Sequence, residues 1–251
     1  MRYYNKSSMQ KQPFPLLNTF LMVSISLIIT ILLIGQAFHF SWAGGQGYLP
    51  QKSVFILGIE GEVIAQKNGK DRRVSAGEKI SRGEMIKTSS DSRILLRTSD
   101  NIDIALDQNA VMRLDNLQKE RLSVFLSGGR LMIYRNEALS PIEIKTKLFS
   151  HTWETGNVTL INYDFLQRIR VIPFGGKVKN AFDENAYALE NTEPIDLLLN
   201  EEALIAWKQG KRDIVLDPSQ AIEVKPTAFK PETDEPHFYK WTEDIRNEFP
   251  L

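Results

Sequence analysis

Three histidines are the first residues in this sequence that could support acid–base or metal chemistry. His39 ends a long uncharged segment, where an imidazole at a membrane interface is the simplest explanation. His151 lies between Phe149 and Trp153, and His237 lies in an acidic segment near the C-terminus. A metal site needs further ligands at short spacing from one of these residues, and the sequence shows no such spacing. We therefore predict no metal ligand and no catalytic histidine.

The carboxylates of Asp100, Asp103 and Asp107 raise the question of a calcium loop. Such a loop needs several oxygen ligands in a compact segment, with glycine at its sharp turn. Asp103 and Asp107 instead flank an apolar run at two-residue periodicity, which predicts that both lie on one solvated strand face. Among 31 acidic residues no pair is singled out as the carboxylates of a glycosidase would be.

Motifs of nucleophilic and phosphate chemistry are absent from the sequence. It has neither Gly-x-Ser-x-Gly nor a glycine-rich phosphate or dinucleotide loop. The segment 127–129, Ser-Gly-Gly, is better explained as a hairpin turn than as a nucleophile. With no cysteine, there is no disulfide or thiolate. We predict a protein that is not an enzyme, with no catalytic, cofactor-binding or metal residues and no cofactor.

The charges of the chain argue against a nucleic-acid partner. Lys and Arg together number 31, as do Asp and Glu, so the formal net charge is zero. Phosphate contacts need a basic surplus on one face, and the pairs Arg72-Arg73 and Lys211-Arg212 are too small to provide it. The charges are unevenly distributed along the chain, since residues 1–50 carry three bases and no acid.

A membrane segment follows these bases. Residues 16–40 contain no charge, and about 20 apolar residues in a helix span a bilayer. We predict a transmembrane helix or signal anchor at 16–40, with residues 1–15 in the cytoplasm and the bulk of the chain in the periplasm, because basic flanks stay inside. The alternative is a leader that is cleaved near Ala43, after which the chain is secreted to the periplasm. The protein is expected at the inner membrane, with its membrane contact through 16–40.

A β-rich domain is predicted at 53–225, after a linker at 41–52. Four apolar-alternating runs lie at Arg93–Thr98, 102–107, 121–127 and 130–135, separated by turn residues. A period of two indicates strands with one packed face. Asn68-Gly69 is a strong hairpin signal, and further strand signals recur every 8–12 residues. The predicted fold is all-β, with short antiparallel strands in a coiled, solenoid-like or sandwich arrangement.

For two segments of this domain, the sequence does not distinguish a helix from a strand. Residues 183–190 and 200–207 carry strand signals but could each form a helical turn or two. The last segment, 226–251, is rich in proline and acid, and we predict a poorly ordered acidic tail. Its aromatic cluster at 237–241 either docks on the domain or forms a recognition peptide for a partner.

The order of several glycine, acid and aliphatic positions resembles that of the FecR-type domain, a β-rich module of bacterial cell envelopes. The similar features are Gly61-Glu62-Val63, Gly83-Glu84 followed by Thr88, the Ser99-Asp100 turn and Gly129-Arg130-Leu131. They cover residues 61–178. Asn101 replaces the glycine of the family's Asp-Gly turn. The family's late Gly-Thr followed by an aromatic residue is missing, and residues 153–156 are the most similar segment.

The resemblance implies an exported domain that senses, binds or scaffolds. Founding members of the family are transmembrane signal regulators that bind a sigma factor through a cytoplasmic domain. About 15 cytoplasmic residues are too few for such a domain. We therefore expect a non-enzymatic envelope module with a protein or glycan partner. The alternatives are a single-pass signal-transduction regulator that acts on a cytoplasmic partner, and an unrecognised glycan-active enzyme.

Overall fold

Strands dominate the computed structural model, which describes residues 53–118, 121–135, 141–164, 167–182, 187–209 and 221–250. The described strands, in chain order, are β1 (Val54–Glu60), β2 (Val63–Lys67), β3 (Lys70–Arg73), β4 (Lys79–Ile80), β5 (Met85–Thr88), β6 (Arg93–Thr98), β7 (Ile102–Leu106), β8 (Val111–Gln118), β9 (Arg121–Arg135), β10 (Ile142–Lys145), β11 (Phe149–Thr155), β12 (Val158–Tyr163), β13 (Ile169–Phe174), β14 (Lys177–Phe182), β15 (Tyr187–Asn191), β16 (Ile195–Leu199) and β17 (Ile222–Pro226). The described helices are α1 (Glu201–Lys208), α2 (Pro231–Asp234) and α3 (Pro236–Glu248). The predicted predominance of β-strands is confirmed.

Two sheets share strand β9. Sheet A has the order β3-β2-β5-β8-β9-β10-β11-β14-β15. Sheet B has the order β4-β1-β6-β7-β9-β12-β13-β16-β17. Neighbouring strands are antiparallel, except that β9 and β10 are parallel. After β9, successive strand pairs alternate between the sheets, so the chain coils around a core between them.

The core between the sheets follows from the alternation along each strand. In β6, Ile94 and Leu96 point inward, and in β7 Ile104 and Leu106 do the same. Trp153 of β11 is fully buried in the same cluster. Each fully buried side chain of this size contributes about 1.5–3 kcal/mol, which explains why period-two segments drive this fold.

The turns between strands follow the predicted chemistry. Asn68 and Gly69 have φ of 51° and 75°, and they join β2 to β3 in a tight hairpin. Asn101 has φ of 61° between β6 and β7. Asparagine tolerates this left-handed conformation, so the predicted turn at Asp100-Asn101 is confirmed.

The predicted hairpin turn at Gly128-Gly129 is wrong. β9 runs through this point as one strand of 15 residues. Its first part pairs with β8 in sheet A, and the part from Gly129 onward pairs with β12 in sheet B. Gly129 has φ of 92°, and a Cβ there would lie 2.5 Å from Ala110 Cα. The glycine therefore lets the strand cross from one sheet to the other.

Two strands escaped the sequence analysis. β8 carries a register shift between Leu114 and Asn116, which breaks its alternation. β11 places His151 and Trp153 inward instead of aliphatic residues. Of the two open segments, 200–207 lies mainly in helix α1 (Glu201–Lys208), and the described part of 183–190 lies in β15 (Tyr187–Asn191). Among the recurring strand signals of the sequence, the one at 213–216 lies outside the described residues.

The prediction of a poorly ordered C-terminal tail is also wrong. Helix α3 packs on the outer face of sheet B, where Phe238 is only 1% exposed. The interpretation that the aromatic cluster docks on the domain is thus confirmed for Phe238, with Tyr239 and Trp241 packed beside it. The sequence signal for this helix is the helical spacing of Phe238, Thr242 and Ile245. It was missed because the acidic and proline-rich composition of the segment was given more weight.

The predicted membrane span at 16–40 lies outside the described residues. Among the helices that are described, none has the length and apolar character needed to cross a membrane.

Candidate binding surfaces

The outer face of sheet B carries the aspartates that were predicted to be solvated, and that prediction is wrong. Asp103 is 1% exposed and Asp107 is 2% exposed. They do lie on one face, as the period of two requires, but α3 and several arginines cover them. The sequence could not show this cover, because Arg246 is 143 residues from Asp103 along the chain.

Asp103 joins sheet B to α3 through two arginines. Its Oδ1 and Oδ2 accept hydrogen bonds from Arg97 Nε and Nη2, at 2.7 Å and 2.9 Å. Arg246 Nε of α3 donates to Oδ2 at 3.0 Å. The Arg246 guanidinium also lies 4.0 Å from the centre of the Tyr134 ring. Burial raises the pKa of Tyr134, since the phenolate would be desolvated.

Asp107 forms a second charged cluster at the other end of β7. Its two oxygens accept hydrogen bonds from Arg93 Nε at 2.9 Å and Arg130 Nη1 at 2.8 Å. Arg130 also contacts Glu235, immediately before α3. Both ends of α3 are therefore tied to sheet B by charge, with apolar packing between them. These aspartates explain how the helix is held.

His151 lies fully buried inside the sandwich. Its Nδ1 donates to Asn180 Oδ1 at 2.7 Å. Asn180 Nδ2 donates in turn to Asn191 Oδ1 at 2.8 Å, and Asn191 Nδ2 donates to the Glu193 carbonyl at 2.7 Å. Within the described part of the chain, His151 Nε2 has no hydrogen-bond partner. The histidine is a neutral core residue of a structural network.

The other histidines offer no site in the described residues. His237 is exposed on α3, and His39 lies outside the described residues. Where the structure describes side chains, no group of three or more His, Asp and Glu residues is arranged to hold a metal ion. The prediction of no metal ligand remains a prediction for the chain as a whole.

The outer face of sheet A differs from that of sheet B. Phe125 of β9 points outward, half-buried, and the Arg113 guanidinium lies 5.1 Å from its ring centre. Lys145 of β10 is its cross-strand neighbour on the other side. Farther along β10, Glu143 accepts a 2.9 Å hydrogen bond from Arg121. An aromatic ring is thus surrounded by charges of both signs on a broad sheet face.

A groove of about 660 Å³ adjoins Phe125. Its lining is mostly polar or charged side chains from β10, β11 and the turn between them, with Phe125 at one side: Phe125, Glu143, Lys145, Thr146, Lys147, Leu148, Phe149, Ser150, Thr152 and Ala181. Two other surface grooves, of about 680 Å³ and 450 Å³, lie beside Phe174 and beside Gly129. Of these three grooves, the first includes the outward-facing Phe125 and its neighbour Lys145 in its lining.

Comparison with known proteins gives limited similarity. No protein-family model matches the sequence, and no curated protein matches it. A crystal structure of a candidate anti-sigma factor from Parabacteroides distasonis aligns with a TM-score of 0.40 and 15% identity, covering 50% of this chain. This chain spans 65% of that protein. A second such structure aligns with a TM-score of 0.40 and 12% identity, covering 66% and 91% of the two chains. At these values the similarity identifies neither the family nor the function of this chain.

Proposed function

We propose that this chain is a non-enzymatic binding module of the bacterial envelope, with a regulatory or sensing role. Residues 16–40 hold it in the inner membrane, and the β domain lies on the periplasmic side. The resemblance of residues 61–178 to the FecR-type domain supports the regulatory role. The uncharged length of 16–40 and the bases before it support the anchor.

The observation that carries the binding role is the unequal use of the two sheet faces. The central strands of sheet B, β6, β7, β9, β12 and β13, have their outer face covered by α3 of the same chain. On the outer face of sheet A, Phe125 and its charged neighbours remain accessible, and none of the described helices packs there. An aromatic centre with a polar, charged rim is the usual anatomy of a protein–protein interface.

The partner is a protein rather than a glycan. Flat glycan platforms rely on several aromatic rings, whereas Phe125 is surrounded by Arg113, Glu143 and Lys145. Alternating charges select a partner surface with the opposite pattern and set its orientation. We expect Phe125 to be the anchor of this interface, with its truncation lowering affinity by about tenfold or more.

Site-specific photo-crosslinking tests this role in the cells that make the protein. A photoreactive amino acid replaces Phe125 in one variant of the full chain and the exposed Lys240 of α3 in a matched control. We expect one dominant protein adduct from position 125 and none from position 240. Equal adducts from both positions, or adducts to glycan alone from position 125, would contradict the proposed partner.

The anchor is tested by thiol labelling, which the absence of natural cysteine makes simple. Ala188→Cys places a thiol at an exposed site of β15. In intact cells with a permeabilised outer membrane, a membrane-impermeant maleimide should label it, and the protein should remain in the membrane fraction. Labelling only after lysis would contradict the periplasmic location.

A further inference from the structure

Two exposed phenylalanines adjoin Arg97 on the outer face of sheet B, near the C-terminal end of α3. Phe55 is 43% exposed and Phe249 is 44% exposed. Phe55 is the cross-strand neighbour of Arg97, and Arg97 Nη1 donates a 2.6 Å hydrogen bond to the carbonyl oxygen of Phe249. Both residues therefore adjoin the same arginine. We call Phe55 and Phe249 the aromatic patch.

A lysine accompanies the aromatic patch. Lys79 belongs to β4, which pairs with β1, and its Nζ lies 5.9 Å from the centre of the Phe55 ring. The Arg97 guanidinium is bonded to Asp103, whereas Lys79 is exposed. An apolar ring with an ammonium group beside it fits a phospholipid surface, where rings enter the headgroup region and amines stay near the phosphates.

The position of the aromatic patch in the chain restricts what it can reach. Phe55 is the second residue of β1, at the start of the folded domain. Only residues 41–52 separate the domain from the proposed membrane span at 16–40. At full extension, twelve residues reach at most about 40 Å. A surface this close to its tether meets the bilayer at an effective concentration in the millimolar range, so weak contacts suffice.

We propose that the aromatic patch docks on the phospholipid bilayer that holds residues 16–40, with the rings of Phe55 and Phe249 in the headgroup region. The inference rests on the proposed anchor. Docking through the outer face of sheet B turns the outer face of sheet A, the opposite layer of the sandwich, away from the membrane and toward a partner. The contact therefore orients the binding surface.

Fluorescence quenching in nanodiscs tests the proposal on the full chain. The nanodiscs contain phosphatidylethanolamine and phosphatidylglycerol, with a lipid-borne nitroxide quencher. An environment-sensitive dye is attached to Ser99→Cys, which is exposed beside the aromatic patch, or to the control Ala188→Cys on sheet A. Since interfacial groups enter about 5–10 Å into the bilayer boundary, quenching at position 99 should exceed that at position 188 by about twofold or more.

The double substitution Phe55→Ser and Phe249→Ser, made in the Ser99→Cys chain, should reduce quenching to the level of position 188. Neither side chain belongs to the hydrophobic clusters of the described residues, so their loss leaves the core intact. If the chain inserts in the nanodisc but positions 99 and 188 are quenched equally, the docking inference fails while the anchor stands. If the substitutions leave quenching at position 99 unchanged, the inference also fails. A chain that does not insert contradicts the anchor itself.

Discussion

Burial lowers the pKa of His151 to about 4 from the ordinary value of 6.5, because a charged imidazole would lose its hydration in the core. The hydrogen bond with Asn180 opposes the shift but does not cancel it. The unfolded chain takes up a proton near pH 6.5, whereas the folded chain resists protonation until about pH 4. The contribution of neutral His151 to the free energy of unfolding is therefore fully present above pH 6.5 and is lost as the pH falls toward 4.

We expect the titration of His151 to lower the free energy of unfolding by about 3 kcal/mol between pH 7 and pH 4. His151→Gln retains an amide donor for Asn180 but does not titrate in this range. It should lower stability at pH 7 and flatten the decline toward pH 4, measured by urea unfolding at a series of pH values. His237→Gln, at an exposed site, is the control. An unchanged slope in His151→Gln would contradict the assignment.

Asp103 supports a second prediction at the residue scale. Asp103→Asn removes the carboxylate that pairs with Arg97 and Arg246 and leaves two partly buried guanidinium groups without its charge. Breaking a buried pair from one side costs about 3–5 kcal/mol. Urea unfolding at pH 7 measures the loss.

The matched control for Asp103→Asn is Glu78→Gln, which breaks the exposed pair with Arg72. An exposed pair contributes about 1 kcal/mol or less. Similar losses in the two variants would show that Asp103 is not the buried junction described above.

At the scale of elements, β9 depends on a glycine at the point where it changes sheets. Gly129→Ala places a Cβ against Ala110 at a positive φ, so steric overlap and backbone strain add together. Strain of this kind costs about 1–3 kcal/mol before the overlap is counted. Gly128→Ala is the control, because its nearest Cβ contact is 3.9 Å and its φ is not positive. Thermal unfolding should separate the two, and equal midpoints would contradict the account of the crossing.

Helix α3 should depend on Phe238 for its attachment to sheet B. Phe238→Ala removes a fully buried ring from the outer cluster, which costs about 3–5 kcal/mol in comparable sites. The loss should be largest locally, so limited proteolysis should cut within residues 227–250 sooner than in the wild type. Lys240→Ala, on the exposed side of the same helix, should leave the cleavage rate unchanged. Equal cleavage of both variants would mean that α3 is held by its charged ends alone.

At the scale of the whole molecule, local patterns in the sequence were sufficient to predict the strands with alternating aliphatic residues, such as β6 and β7. The turns at Asn68-Gly69 and Asn101 were also predictable, because each depends on one residue's backbone preference. β11 was missed because a buried histidine and tryptophan do not produce an aliphatic alternation.

The remaining features depend on contacts between distant residues. The Gly128-Gly129 pair is compatible with a turn and with a bent strand, and the pairing of β9 with β8 and β12 distinguishes the two. The burial of Asp103 requires Arg246, and the cover of sheet B requires the apolar side of α3. The apolar spacing of α3 is visible in the sequence, but no local pattern shows which sheet face the helix covers. The accessible face therefore could not be identified before the covered face was known.

Hydroxyl-radical footprinting of the full chain tests the central claim most directly. Phe125 on the outer face of sheet A and Trp241 on α3 are both half-buried, and both react with hydroxyl radicals. We predict that Phe125 is oxidised more slowly in native membranes than in the purified chain, because a partner covers it, while Trp241 is oxidised at the same rate in both. Equal oxidation of Phe125 in the two settings, or protection at Trp241 instead, would contradict the claim that sheet A carries the binding surface.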